Sequence, residues 1–474
     1  MTDGARRLGL VLLLLAVFVG IAVVDRVATR SAASVLGAPD QALATVRVAP
    51  PGVESAAWYC AGGTSSAAGA SPTLLLANTA ERPVSATIDA VAVGSSGSSA
   101  TVTVPAHGSA KFTPSSLSGG TDLAATVQLD GGGVGVWEEV YGPAGWSVAP
   151  CASAAATQWY FAHGSTATGD SLGLALYNPG ETVAVVDISL STSTEGTVAP
   201  AAYQGIDLPA HALVVENVGD HVQNDPAVAM SAVALSGSFV AYERQTTGQS
   251  AGGGMSLLLG TPTAATVAAF AQSTDVAGGS VTFDVFDPGA HPATVSAVVG
   301  LDHGSTAPFS LTVPAGATAA LATAGQTRVP SDTPFSMVFS SSTGIVVGRA
   351  VGGPSGSAAP QVGITGATWA GARRWVVPEV PAPGSGAWYL AVADLARGPV
   401  TLRVLAATSS GFSAVSGVPG RLSPGQPVFV GPKPGAPIGA VPLEIEASGP
   451  VAVQLDVQPA GAPGVVVIPA LALG

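Results

Sequence analysis

The sequence predicts an all-β protein: four tandem immunoglobulin-like antiparallel β-sandwich repeats after an N-terminal transmembrane helix. Three observations predict it. One set of motifs recurs four times, at a spacing of about one hundred residues. The composition suits short strands and small-residue turns, with 47% hydrophobic and only 9% charged residues, Gly 61 and Pro 37. Leucine-rich helical periodicity is confined to the first thirty residues, where one apolar run is long enough to cross a bilayer.

That run extends from Leu8 to Val24, between Arg6-Arg7 and Asp25-Arg26. At ~1.5 Å per residue it spans roughly 26 Å, close to a bilayer core. An uncleaved signal anchor in residues 1–30 fits best; Ser31-Ala32-Ala33 is the alternative, a cleavage site. The short basic tail favours cytoplasmic retention, so the C-terminal bulk is expected outside a cell membrane crossed once. Residues 31–56 read as a linker.

The repeats follow as 57–151, 152–260, 261–366 and 367–474. Trp58-Tyr59-Cys60-Ala61-Gly62-Gly63 opens the first, and Trp159-Tyr160-Phe161-Ala162-His163-Gly164 the second. Ala268-Ala269-Phe270 and Arg374-Trp375-Val376-Val377 are weaker copies. Each is followed by a strand ending in Asn78, Asn178, Asp287 or Asp394, whose short side chains cap a strand-ending turn. A corner carrying Pro105, Pro209, Pro314 or Pro424 comes 27, 31, 27 and 30 residues later. A further strand then returns through Trp137-Glu138, Tyr242-Glu243, Gly348-Arg349 and Gln454, and one more closes each unit. A β-propeller is the alternative, but its repeat of about 40–50 residues is half this period.

Cys60 and Cys151 are the only cysteines, at the opening strand and closing edge of the first repeat. A structural disulfide is expected, as an exported compartment permits; two buried thiols are the alternative. Cys60→Ser should then destabilise the first repeat and leave the other three folded.

Gly169-Asp170-Ser171-Leu172-Gly173 matches a nucleophile-elbow string. An elbow needs strand, turn and helix, and this string leads into a strand. Ser71, Ser171 and Ser280 each stand seven residues before the strand-ending Asn or Asp, so the string is a repeat loop. His107, His163, His211, His221, His291 and His303 lack metal-ligand spacing and read as loop residues. Glu138 and Glu243 recur in register, which argues for a cap or salt bridge over acid–base chemistry. The expectation is no catalytic residue, no metal and no cofactor. Net charge is -13, with Lys111 and Lys433 the only lysines, which disfavours nucleic acid. Trp58, Trp159, Trp137 and Tyr242 read as core. Trp146, Trp369 and Tyr203 fall off the repeat and are the candidate ligand-contact aromatics for sugar stacking.

The aromatic opening, the strand ending in Asn178-Pro179 and the Val104-Pro105-Ala106 corner resemble an uncharacterised family of exported, membrane-anchored actinobacterial proteins, defined only as a domain of unknown function. The resemblance runs from about residue 57 to the end, and is clearest in the first two repeats. It implies an envelope location and an association with glycoconjugate pathways, and it carries no catalytic residues. The expected function is a non-catalytic extracytoplasmic scaffold of the bacterial cell envelope, partnered by other envelope proteins. The alternatives are a wall-polysaccharide-binding module and an accessory subunit of an envelope glycoconjugate-assembly complex.

Overall fold

A computed structural model describes residues 46–63, 71–119, 122–142, 145–248, 254–274, 280–302, 304–352, 362–366, 371–379, 387–396, 398–431, 440–458 and 466–474. The apolar run 8–24, the Ser31-Ala32-Ala33 site, Trp369 and His303 lie outside them. Among the described residues no helix is long and apolar enough to cross a membrane.

The fold is all-β, in sheets that are antiparallel apart from the pairing of one two-residue strand, and none closes into a barrel. The first repeat sets the pattern. A two-residue strand β1 (Arg47–Val48) lies within the expected linker. It is followed by β2 (Ala56–Cys60), β3 (Ser71–Asn78), β4 (Val84–Ala92), β5 (Ser95–Val104), β6 (Ser109–Phe112), β7 (Leu123–Leu129), β8 (Val134–Gly142) and β9 (Gly145–Pro150). They form two four-stranded sheets, β2-β7-β4-β5 and β6-β3-β8-β9. The strands of a propeller blade lie side by side in chain order, and the order β2-β7-β4-β5 departs from it, which speaks against the propeller alternative. β4 shows the cause in its sequence: Val84, Ala86, Ile88, Ala90 and Ala92 are buried and the residues between them half-buried, the period of a strand with one face on a core. Trp58, Cys60, Leu74, Leu76, Ile88, Val127 and Val136 meet between the sheets.

The second repeat has the same order, with sheets built on Gln158–Phe161, Val228–Ser236 and Ala184–Thr192 and on Ala212–Asn217, Ser171–Asn178, Val240–Thr247 and Gly254–Leu259. In the third and fourth repeats the counterparts of β7 and β8 fuse. Pro334–Gly352 and Leu443–Gln458 are single long strands that pair in one sheet with their first halves and in the other with their second.

The repeats contact one another in cyclic order, and the last returns to the first. The four closing strands, β9, Gly254–Leu259, Val362–Gly366 and Val466–Pro469, lie against each other around this ring. The ring shuts where β1 pairs in parallel with Leu471–Leu473 and where Trp137 Nε1 donates to Pro469 O at 2.8 Å. One hydrophobic core spans the first and fourth units. Matching positions make matching joints. Tyr242 Oη donates to Pro150 O of the first unit at 2.9 Å, the backbone of Gly348 packs on Ala162 and His163 of the second, and Gln454 Nε2 donates to Gln272 O of the third at 3.1 Å. Trp137, Tyr242, Gly348 and Gln454 thus each face the preceding unit. This explains why β8 is buried on both faces over Val134–Glu138.

Candidate functional site

The residues singled out from the sequence are mostly consumed by the fold. Ser171 begins a strand, pairs in register with Thr246, and its carbonyl accepts from Gln245 Nε2. No helix follows it, so the strained elbow geometry is missing. Cys60 and Cys151 form a disulfide, Cα–Cα 4.7 Å, tying β2 to the residue after β9. Trp146 is only 7% exposed, and its Nε1 donates to Glu139 Oε1 at 2.8 Å. Tyr203 is 1% exposed, donates to Asn217 O at 2.8 Å and packs edge-on against His221. Trp146 lies within β9 and Tyr203 in the short turn Ala201–Tyr203, and both rings are enclosed; neither offers a face for sugar stacking.

The recurrent glutamates divide. Glu138 accepts from Gly62 N at 2.8 Å and so caps the end of β2. Burial pushes its pKa up to about 7, against the lowering effect of that bond and of Arg244. Glu243 is buried with both carboxylate oxygens unbonded, and burial holds its pKa well above the usual carboxylate range. Arg349, at the same position, donates to Gln272 O and Ser273 Oγ, again at the end of an opening strand. His163 joins Asp284 across the second joint at 2.5 Å, and Arg244 joins Asp122 across the first, also at 2.5 Å. Among the described residues no three of His, Cys, Asp and Glu are grouped to hold a metal ion.

A concave site lies apart from these residues, and no sequence motif announces it. A cleft of about 700 Å³ lies between the outer face of the β2-β7-β4-β5 sheet and the second unit. Its floor is a straight cross-strand row: Tyr59 opposite Thr126, Thr126 opposite Asp89, and Asp89 opposite Ser99. The Ser99 hydroxyl bonds to the Asp89 carboxylate. Gln128 extends the floor on β7. From the second unit come Tyr177, whose hydroxyl meets Thr126 Oγ1 at 2.8 Å, and the pair His211 Nε2 with Glu181 Oε2 at 3.1 Å. The row is visible only once strand register is known, because its members are scattered from residue 59 to residue 126.

Fold and cleft together define an all-β protein built of several antiparallel sheets. The model of a family of unknown function, DUF5719, matches residues 142–417. The chain belongs to that family. No curated protein matches it. Among solved structures it is similar to the Anabaena sensory rhodopsin transducer (27% identity, 18% of this chain and 95% of that one, TM-score 0.17). It is also similar to Thermotoga maritima 1070 (14% identity, 22% and 95%, TM-score 0.20). A third similarity is to a tetra-tandem repeat in the extending region of a large adhesion protein (12% identity, 84% and 93%, TM-score 0.11). These TM-scores are too low to carry any property across.

Proposed function

We propose that this chain is a non-catalytic scaffold on the extracytoplasmic side of the bacterial cell envelope, anchored by residues 8–24 and built from four immunoglobulin-like sandwiches. The observation that carries this reading is the ring. Side chains at one repeat position, Trp137, Tyr242 and Gln454, are spent on locking each unit to the one before it. Such closure fixes the relative placement of outer surfaces, which is what a platform for other envelope components requires. The Cys60–Cys151 disulfide supports an oxidising compartment. Ser171, the residue most suggestive of hydrolysis, lies in a ladder instead of an elbow.

Complementation of a deletion strain tests the reading. The Ser171→Ala chain should restore envelope function in full. A chain with its ring opened by Trp137→Ala should fail although it is exported and anchored. Loss of function in a folded, exported Ser171→Ala chain would overturn the non-catalytic reading, and protease protection of the C-terminal bulk in spheroplasts would overturn the location.

A further inference from the structure

The Pro corners make the first joint different from the other three. Each corner places one residue in the left-handed region: His107 at φ 48°, His211 at φ 54°, Gly316 at φ 68° and Gly425 at φ 72°. At three joints that corner closes on the hairpin of the preceding unit that corresponds to β4–β5. The His107 ring packs edge-on against Phe412 of the fourth unit at 5.3 Å. Gly316 O accepts from Thr197 Oγ1 of the second unit at 2.9 Å. Gln426, beside Gly425, donates to Asp302 O of the third unit at 2.9 Å. At the first joint His211 turns to Glu181 of its own unit, Ser99 turns to Asp89 and Ser98 to Leu117 O. These three side chains bond within their own units, and the cleft occupies the place of the contact that the other joints make.

We propose that this cleft binds a neutral, hydroxyl-rich carbohydrate chain. Its size falls within the range of small-ligand sites. Among the described residues no lysine or arginine lines it, its histidine, His211, is already paired with Glu181, and Asp89 adds a further carboxylate, so phosphate- and uronate-bearing ligands are disfavoured. The floor offers hydroxyl and carboxylate groups at the spacing of neighbouring strands, with the Gln128 amide beside Thr126 on β7 and the half-buried Tyr59 ring at one end. A strand spacing of about 4.8 Å presents a hydrogen-bonding group at each step across the sheet, which matches a ligand with many hydroxyls better than one with a single charge. An apolar ligand would cover the Asp89 carboxylate and the Gln128 amide and take their water away. The assignment is independent of the scaffold reading, since it rests on the joint alone and differs from the stacking site expected at Trp146, Trp369 and Tyr203.

The test is binding of the full chain in detergent to arrayed neutral and uronate-bearing oligosaccharides, followed by titration of the best neutral probe. Asp89→Asn with Gln128→Ala should raise its Kd roughly tenfold, about the loss of one or two ordinary hydrogen bonds. Gln128→Trp, which fills the cleft from an exposed position, should abolish binding while thermal unfolding stays within a few degrees of the parent. Trp146→Phe should leave Kd unchanged. No retention of any neutral oligosaccharide overturns the proposal. So does tighter binding of uronates, or binding that survives Gln128→Trp.

Discussion

The side-chain amide of Asn78 donates to Arg82 O, Val104 O and Pro105 O at 2.9, 3.2 and 3.0 Å, while its Oδ1 accepts from Ala80 N at 2.8 Å. Asn178 repeats this with Thr182 O, Leu208 O and Gly180 N. One residue thus ties a strand end to the Pro corner about thirty residues on. In the last two repeats Asp stands there. Asp287 and Asp394 keep the Oδ1 bonds, to Gly289 N and Ala396 N, but each leaves a buried Oδ2 without a partner. Burial raises the Asp394 pKa to about 6. The folded chain therefore holds that proton more tightly than the unfolded one, so the contribution of Asp394 to stability is fully present in acid and is lost as pH rises from about 3.9 to about 6. Asp394→Asn should stabilise the chain by ~1 kcal/mol at pH 7.5 and flatten that fall. Asn78→Asp should cost ~1–3 kcal/mol, since it turns donated bonds into oxygen–oxygen contacts. Urea unfolding at pH 4.5 and pH 7.5 checks both.

The strand β8 shows what element-level sequence reasoning reaches and where it stops. Its place in the unit, and the equivalence of Trp137 and Tyr242, were legible because each stands in the strand that returns after the Pro corner, 32 residues after Pro105 and 33 after Pro209. That these residues bury their outer face against the preceding unit was not legible. A strand covered on both faces loses the alternation that would reveal which neighbour covers it. Trp146 and Tyr203 misled because spacing does not show burial: one lies in the closing strand β9 and the other in the turn Ala201–Tyr203, and both are enclosed. The cleft was hidden because adjacency across strands is set by register. Two substitutions separate joint from core. Tyr242→Phe keeps the ring and removes the bond to Pro150 O, and should cost ~1 kcal/mol. Tyr242→Ala also opens a cavity at the first joint and should cost ~3–5 kcal/mol. Equal effects in urea unfolding would mean that the hydroxyl, not the packing, holds the joint.

At the scale of the whole molecule, four independent sandwiches and a closed ring respond differently to the same injury. Discrete repeats confine the loss of Cys60–Cys151 to the first unit, as the sequence alone implied. The structure gives a different expectation. Trp58, Val136 and Trp137 share one core with Trp375, Leu455, Ile468 and Leu471 of the fourth unit, and β1 is a strand of the fourth unit's sheet. Cysteines 91 residues apart close a long loop, and opening it should cost about 2–5 kcal/mol. That loss falls on a core whose halves belong to opposite ends of the chain. Hydrogen exchange on the Cys60→Ser protein should therefore quicken in Ala372–Val377 and Leu443–Gln458 together with β2, while Ser280–Phe286 in the third unit keeps its protection. Acceleration limited to residues 56–150 would mean that the first and fourth units share a surface but fold separately. Acceleration in all four would mean that the ring unfolds as one cooperative body, with the disulfide as a clasp for the whole.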